Sequence, residues 1–271
     1  MDRRDQLAFL IDALLAEMPE YREQAGQFPP DDTSQRRLLR SLMNVRPPLP
    51  LDPAFLAVQD ALLSTEREAK GVVDGAALPA VAADPRLSLW PGDITRLRAD
   101  AIVDADNAAL LGCFAPCHGC IDNAIHSAAG LQLRDECARI MRAQGHPEPV
   151  GRAKLTRGYN LRARYVIHTP GPIWQGGNMG EPALLASCYR SSLQLAADHG
   201  IRTVDFPSIS TGIYGYPLAQ AATVALKAIM EFLQTHPLPQ RVRMVCHSEA
   251  AAAVYRQTWN LWYAEDHDSR V

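Results

Sequence analysis

Three cysteines and one histidine lie close together in this sequence, and no other grouping carries a clearer chemical signal. The stretch LGCFAPCHGCIDNAIHSAAG, residues 111–130, contains Cys113, Cys117, His118 and Cys120. Cysteine thiolates and histidine nitrogens are the ligands that zinc prefers, and three protein ligands with one open position are typical of a catalytic zinc site. The spacing C-x4-H-x-C therefore indicates a zinc site formed by Cys113, His118 and Cys120, with Cys117 as a further candidate.

Two other interpretations of these thiols stay open, namely a redox-sensitive cluster without metal and simple packing. A structural zinc module is not favoured, because it needs a second ligand pair about 12 to 20 residues away and the next histidine, His126, lies on the following helical segment. A nucleobase deaminase is excluded. PCHGC matches half of its motif, but no histidine precedes His118 and no cysteine precedes Cys113.

The composition predicts a folded protein with no broad attraction for polyanions. The 271 residues are 47% hydrophobic and 21% charged, with a formal net charge of -3. Such a chain can bury one large core or two modest ones. Because no basic surface is expected, nucleic acid is not predicted as a partner, and any recognition of phosphate must come from local geometry.

The first residues predict an amphipathic helix instead of a signal peptide, because acidic residues interrupt the apolar run. No stretch reaches the roughly 18 apolar residues of a membrane span, so we expect no membrane association and a cytoplasmic location. In that reducing setting the isolated Cys137, Cys188 and Cys246 are predicted to be buried thiols. The apolar face of the first helix comprises Leu7, Leu10, Ile11, Leu14, Leu15 and Met18.

The remaining pattern divides the chain into two parts. Residues 1–84 predict three helices and then a connector of small residues from about residue 71. After it, β-rich runs alternate with helices near 122–143, 182–199, 217–235 and 248–263, which predicts an α/β domain whose sheet is covered on both faces. Ligands of such sheets bind beyond the carboxyl ends of the strands. The predicted strands are LSLW, AIVD, AKLTRGYNL, RYVIHT, TVDFP and VRMVCH.

One strand-to-helix loop has the composition of an anion site. STGIYGYPLAQAA places Gly212 and Gly215 before Pro217, which is expected at the first helical position. Free N–H groups at a helix start favour a phosphate. The alternative is a tight turn with Ser210 and Thr211 as local caps. The stretch STGIYGYPLAQAA is not a P-loop, because no lysine follows its second glycine.

Five motifs, WPGDIT, DAIVDADNAALLGC, CIDNAIHSAAG, YVIHTPGPIW and PSISTGIYGYP, together resemble the macrodomain family in the same order. The C-F-x-P-x-H-x-C insertion is similar to the zinc-containing bacterial and fungal branch, often found beside a sirtuin-type ADP-ribosyltransferase. The resemblance covers about residues 86–264. It implies a three-layer α/β/α macrodomain with a mixed central sheet over residues 85–271, preceded by a helical extension over residues 1–84.

The resemblance also implies a function and a set of site residues. The function is a zinc-dependent hydrolase that removes mono-ADP-ribose from protein side chains, with a sirtuin-type transferase system as a related partner. Asp93 would accept a hydrogen bond from the adenine amino group, and Ile94 would lie beside the adenine. Without the resemblance, Asp93 would be interpreted as a turn or cap residue. Asn107 would bind the distal ribose. Asp122 would orient that ribose or the attacking water. Without the resemblance, Asp122 would be interpreted as a helix N-cap. Backbone N–H groups of Ser210, Thr211, Gly212, Ile213, Tyr214 and Gly215 would bind the diphosphate.

The chain departs from the family pattern V-N-A-A-N at two positions. Asp104 stands in place of the first asparagine and Asp106 in place of an alanine, whereas Asn107 matches. A carboxylate cannot donate an amide N–H, and charge near a diphosphate adds repulsion. We therefore expect weaker ADP-ribose binding if both carboxylates face the cleft. In the other possible arrangements the two carboxylates face away from the cleft or contact the metal.

The alternative function is an ADP-ribose reader without turnover. His126 is predicted to be packed inside or bonded to backbone instead of catalytic.

Overall fold

A computed structural model describes residues 1–81 and 84–268. Before the sheet, its described residues form four helices, and an aspartate side chain caps the start of three of them. Asp2, Asp31 and Asp52 each accept a hydrogen bond from a backbone N–H of the helix that follows, which satisfies one of the free donors at a helix start. The helices are α1 (Arg3–Glu17), α2 (Arg22–Ala25), α3 (Asp32–Val45) and α4 (Pro53–Lys70).

The predicted apolar face of α1 is buried against α3 and α4. Leu7, Leu10, Ile11, Leu14 and Met18 are all at most 5% exposed, so this part of the prediction is confirmed. Leu15 is partly buried at the edge of the same cluster. Leu131 from the following domain joins this cluster, so the helical extension packs on that domain instead of standing apart.

The strands form one mixed sheet in the order β1-β2-β7-β6-β3-β5-β4. The two outer pairs, β1 with β2 and β4 with β5, are antiparallel, and the inner pairs are parallel. The strands are β1 (Ala80–Val81), β2 (Asp84–Pro91), β3 (Ala101–Asp106), β4 (Lys154–Arg157), β5 (Tyr165–Pro170), β6 (Thr203–Pro207) and β7 (Arg241–Cys246).

Helices cover both faces of this sheet because successive side chains of each strand point to opposite faces. Val103 faces the core under α7, α8 and α9, whereas its neighbour Ile102 faces α5 and α6. The predicted three-layer α/β/α arrangement is confirmed, and α1–α4 lie outside α5 and α6. The helices are α5 (Ile121–Ala129), α6 (Leu131–Gln144), α7 (Glu181–Asp198), α8 (Leu218–Thr235) and α9 (Glu249–Asp268). Among the described residues, no helix is both long enough and apolar enough to cross a membrane.

Several predicted boundaries were wrong. The single helix expected over 122–143 is two helices, because Gly130 adopts φ 95° and a Cβ there would meet the Gln59 and Gln132 side chains. The strand predicted for AKLTRGYNL ends at Arg157, because the next residue, Gly158, turns the chain and its N–H bonds to the carbonyl of Arg164.

Two further differences concern the ends of elements. Pro217 is the N-cap of α8 in an extended conformation and not its first helical residue. The connector after α4 also contains β1, whose Ala80 pairs with Ser88 at the sheet edge. The sheet therefore begins a few residues before the predicted start of the second domain, whose boundary stays a prediction.

Candidate active site

A cavity of about 980 Å³ opens at the carboxyl ends of the central strands. It lies where the loops after β3, β6 and β7 meet, as expected for an open α/β sheet. Of the predicted site residues, only Gly215 is absent from its lining. Those that line it are Asp93, Ile94, Asn107, Cys113, His118, Cys120, Asp122, Ser210, Thr211, Gly212, Ile213 and Tyr214.

The predicted metal ligands converge in the loop between β3 and α5. The Sγ atom of Cys113 lies 3.7 Å from Nδ1 of His118, and with Sγ of Cys120 these atoms all lie within 4.8 Å of one another. Tetrahedral zinc with its usual Zn–S and Zn–N bonds places neighbouring ligand atoms about 3.5 to 3.8 Å apart. The three half-buried side chains therefore fit such an ion.

Cys117 lies outside this triad. Its Sγ is 3.3 Å from Oγ of Ser41 on α3, and its own φ is 52°. Its backbone N–H donates to Oδ1 of Asn44, also on α3. The positive φ turns this residue toward the helical extension, which is consistent with its lower rank in the sequence analysis.

The start of α5 corrects one prediction. Cys120 is the N-cap, because its Sγ accepts a hydrogen bond from the N–H of Asn123 at 3.4 Å. Asp122 is inside the first turn, so its expected role as a cap was wrong. Arg40 of α3 donates to Oδ1 of Asn123 and to the carbonyl of His118. The extension therefore holds the carboxyl-terminal part of the loop that carries the predicted ligands.

Asp122 lies at the wall of the cavity and is only 5% exposed. Its Oδ1 has no hydrogen-bond partner among the described residues. Burial raises the pKa of Asp122, and the nearby Asp106 carboxyl raises that pKa further. Burial also raises the pKa of Asp106. Burial therefore disfavours the charged form of both carboxyl groups.

Asn107 closes the turn that follows β3. Its Oδ1 accepts from the N–H of Ala109 at 2.9 Å, and its Nδ2 lies 3.4 Å from the carbonyl of Gly112. Asp93 closes another turn, since Oδ1 accepts from both the N–H and the hydroxyl of Thr95. Both side chains thus shape the cavity wall, and their contacts to a nucleotide stay predictions.

The glycine loop after β6 presents free backbone donors to the cavity. The N–H groups of Gly212, Ile213 and Tyr214 make no hydrogen bond with another part of the chain that the structure describes. Ser210 has φ 64°, and its buried Oγ likewise lacks a partner there. Gly171 permits this conformation, because a Cβ at that position would come within 2.3 Å of the Ser210 hydroxyl.

The two unusual aspartates have different positions. Asp106 lines the cavity, whereas Asp104 is fully buried and does not. The expected repulsion of a diphosphate therefore concerns Asp106 alone.

His126 is 5% exposed, as predicted for a packed residue. Neither of its ring nitrogens bonds to backbone among the described residues. Its Nε2 instead lies 3.6 Å from Asp122 and 3.7 Å from Asp104.

Several lining residues escaped the sequence analysis. The Phe114 ring at the cavity lies 4.2 Å from the guanidinium carbon of Arg134, a cation–π contact. His247 is another of these residues. It directly follows the run VRMVC, and this position near a strand end was the signal that could have identified it as a cavity residue. The other additions include Gly171, Ser208 and Val245.

Comparison with known proteins identifies the family. The Macro domain family matches residues 103–225. A protein-ADP-ribose hydrolase of Treponema medium is 41% identical over 260 residues, which are 95% of this chain and 99% of that protein. The chain belongs to the macro domain family. A protein-ADP-ribose hydrolase of Staphylococcus aureus strain COL is 42% identical over 226 residues, 82% of this macrodomain protein and 84% of that one.

Solved macrodomains share the same fold. The Trypanosoma brucei macrodomain in complex with ADP-ribose has a TM-score of 0.63 and 32% identity, and the match covers 80% of this chain and 94% of that one. The Oceanobacillus iheyensis macrodomain with ADP has a TM-score of 0.61 and 38% identity, and the match covers 66% of this chain and 92% of that one.

Proposed function

We propose that this macrodomain protein is a zinc-dependent hydrolase that releases mono-ADP-ribose from modified protein side chains. One observation carries the proposal: the Cys113–His118–Cys120 triad, Asp122 and the glycine loop all line the same cavity. The names of the relatives from Treponema medium and Staphylococcus aureus, and the ADP-ribose complex of a similar structure, support the substrate.

In the proposal the nucleotide lies across the cavity with its diphosphate on the glycine loop. The free N–H groups of Gly212, Ile213 and Tyr214 supply donors there, so no basic side chain is needed to bind the anion. Asp93 keeps Oδ2 available for the adenine amino group, because its turn uses Oδ1. Ile94, 2% exposed, gives the adenine an apolar wall.

The distal ribose then lies between Asn107 and the thiol triad. Cys113, His118 and Cys120 would hold a zinc ion with one position open toward the cavity. When bound, that ion supplies Lewis acidity, which polarises an oxygen near the scissile bond or lowers the pKa of a water molecule. The residues of the chain supply position: Asn107 contacts a ribose hydroxyl, and the unpartnered Oδ1 of Asp122 accepts a hydrogen bond from the attacking water.

The reaction breaks the bond between C1″ of the ribose and the protein side chain. The water oxygen forms a new bond to C1″, and the side chain leaves with a proton. Because Asp122, in the first turn of α5, directly follows the loop that carries the triad, the attacking water and the proposed metal ligands are positioned by one continuous segment. Holding reacting groups in this way lowers the entropic part of the barrier.

The test is release of ADP-ribose from a mono-ADP-ribosylated protein by the full chain. We expect activity in the zinc-loaded protein and a loss of at least tenfold, or about 1.4 kcal/mol of barrier, after chelation and in Cys113→Ser. Cys117→Ser is the matched control, since Cys117 lies outside the triad and contacts Ser41, and it should retain activity. Full turnover by the metal-free protein would show that zinc is not catalytic.

The second candidate function is an ADP-ribose reader, favoured by the departure from the family pattern at Asp106, which lines the cavity. Calorimetry with ADP-ribose separates the two. Tight binding by the zinc-loaded protein without any product in the hydrolysis assay identifies a reader. The sirtuin-type partner and the cytoplasmic location stay predictions.

A further inference from the structure

A second group of potential metal ligands lies between the sheet and α5, and none of its members belongs to the thiol triad. Asp104 on β3 and His168 on β5 are partners in the parallel register of these strands. His126 of α5 faces them, and Asp106 lies at the end of β3. The four side chains are between 0% and 5% exposed.

The buried polar atoms of Asp104 and His126 are not satisfied by hydrogen bonds, whereas His168 and Asp106 do have hydrogen-bond partners. Both carboxylate oxygens of Asp104 and both ring nitrogens of His126 are buried and lack a partner among the described residues. Oδ2 of Asp104 lies 3.7 Å from Nε2 of His126 and 3.7 Å from Nδ1 of His168. These separations are too long for hydrogen bonds, and buried polar groups without partners are costly and rare in folded proteins.

We propose that Asp104, Asp106, His126 and His168 bind a divalent transition-metal ion of the zinc class. One ligand atom from each of the four lies within 4.8 Å of the other three, and Nδ1 of His168 is 3.2 Å from Oδ2 of Asp106. Metal bonds to histidine and carboxylate place the ligand atoms of a tetrahedral ion about 3.3 to 3.5 Å apart. The cluster is slightly wider than this, so a small inward shift completes the coordination.

The surroundings of His168 orient it for this role. Its Nε2 lies 2.9 Å from the Thr156 hydroxyl, which leaves Nδ1 facing the two carboxylates. A ligand histidine whose second nitrogen is fixed by a hydrogen bond is the usual arrangement around a bound metal. The thiol of Cys137 lies 3.6 Å from the same Nε2. Cys137 also has its sulfur within 4.8 Å of ligand atoms of His126 and His168, so the test must separate a sulfur ligand from the two carboxylates.

The charges favour a cation at this position. Burial raises the pKa of Asp104, and the carboxyl groups of Asp122 and Asp106 raise it further. Burial also lowers the pKa of both histidines, so their rings are neutral and free to ligate. A divalent ion would neutralise the negative charge of the Asp104 and Asp106 carboxylates, so neither group would need a proton. With four protein ligands and no open position the site is structural, and Asp106, which also lines the cavity, gives the ion a route of entry.

The test uses the full chain with both triad cysteines removed, Cys113→Ser with Cys120→Ser, so that the thiol site cannot contribute. After exposure to Zn²⁺ and dialysis, elemental analysis should find about one zinc ion per chain. X-ray absorption should show nitrogen and oxygen neighbours at about 2.0 to 2.2 Å and no sulfur at about 2.3 Å. In this background Asp104→Asn should lose most of the zinc, whereas Asp100→Asn, outside the cluster, and Cys137→Ala should retain it.

Three results would overturn the proposal. They are a zinc content near zero in the Cys113→Ser, Cys120→Ser background, a sulfur neighbour in the absorption spectrum, and retention of zinc by Asp104→Asn. If Asp104→Asn does not fold, the unfolding temperature of the background protein decides: added Zn²⁺ must raise it and a chelator must reverse the rise, and no shift refutes the site. The hydrolase proposal can fail separately, because its test concerns Cys113 and turnover.

Discussion

Replacement of Arg134 tests how the helical extension is joined to the macrodomain. This residue of α6 is 3% exposed. Its Nε donates to the carbonyl of Leu111 at 2.6 Å, and its Nη1 donates to the carbonyls of Met43, Asn44 and Arg46 at 3.0, 2.8 and 2.6 Å. One guanidinium thus satisfies the carboxyl-terminal carbonyls of α3 and a carbonyl of the loop that leads to the metal ligands.

Arg134→Met keeps the apolar stem but removes the charge and every one of these donors. Hydrogen bonds to a charged group contribute about 1.5 to 3 kcal/mol each. The contributions of four bonds to one guanidinium are not additive, and in the variant water can reach part of the space that the guanidinium occupied. The loss of one partner from a buried charged network costs about 3 to 5 kcal/mol. We therefore expect the free energy of unfolding to fall by about 3 to 5 kcal/mol, a large share of the usual stability of a domain.

Urea unfolding followed by circular dichroism measures this change. Arg134→Lys is the control, because it keeps the charge but its single ammonium cannot reach Leu111 and the end of α3 together, so an intermediate loss is expected. A loss below about 1 kcal/mol in Arg134→Met, the range of ordinary surface substitutions, would refute the view that this guanidinium joins the two parts. Equal stability of Arg134→Lys and the wild type would show that charge alone suffices.

Two further predictions concern the glycine loop and the extension. Gly171→Ala would place a Cβ 2.3 Å from the Ser210 hydroxyl, so calorimetry should show ADP-ribose binding weakened about tenfold, whereas the remote Gly26→Ala should bind normally. Burial alone would raise the pKa of Glu66, but its hydrogen bonds and charge interactions with Arg36 and Arg3 outweigh burial and lower that pKa below its ordinary 4.5. Its stabilisation is therefore complete above pH 4.5 and is lost as the pH falls through the folded-state value. Glu66→Gln should cost about 1 kcal/mol at pH 7, and urea titrations should show this cost shrinking as the pH falls below 4.5; an equal loss at neutral and acidic pH would contradict this.

Local spacing was enough to predict the thiol triad and the glycine loop, whereas the roles expected of Asp93, Asn107 and Asp122 came from the family resemblance. Cys113, His118 and Cys120 are close in sequence and all lie in the loop between β3 and α5. The glycine loop follows the same logic, since Gly212 lies in the loop between β6 and α8. Residues of this kind come together in space because they are already neighbours in the chain.

The buried cluster could not be predicted in this way. Asp104, His126 and His168 lie on three different elements, and only the register of β3 against β5 and the packing of α5 bring them together. The break at Gly130 was missed for a related reason. Gly130 leaves the helical region at φ 95°, and the Gln59 side chain, from α4 far away in sequence, lies where a Cβ would project, so glycine is required there.

The contacts of α3 with Cys117 and His118 have a practical meaning for anyone who shortens this protein. A fragment that starts at the sheet would contain every proposed zinc ligand, yet it would lack the surface that shapes the loop carrying them. Such a fragment could keep its sheet and still misplace its thiols. During synthesis the order is favourable, because the supporting helices leave the ribosome before the loop that they support.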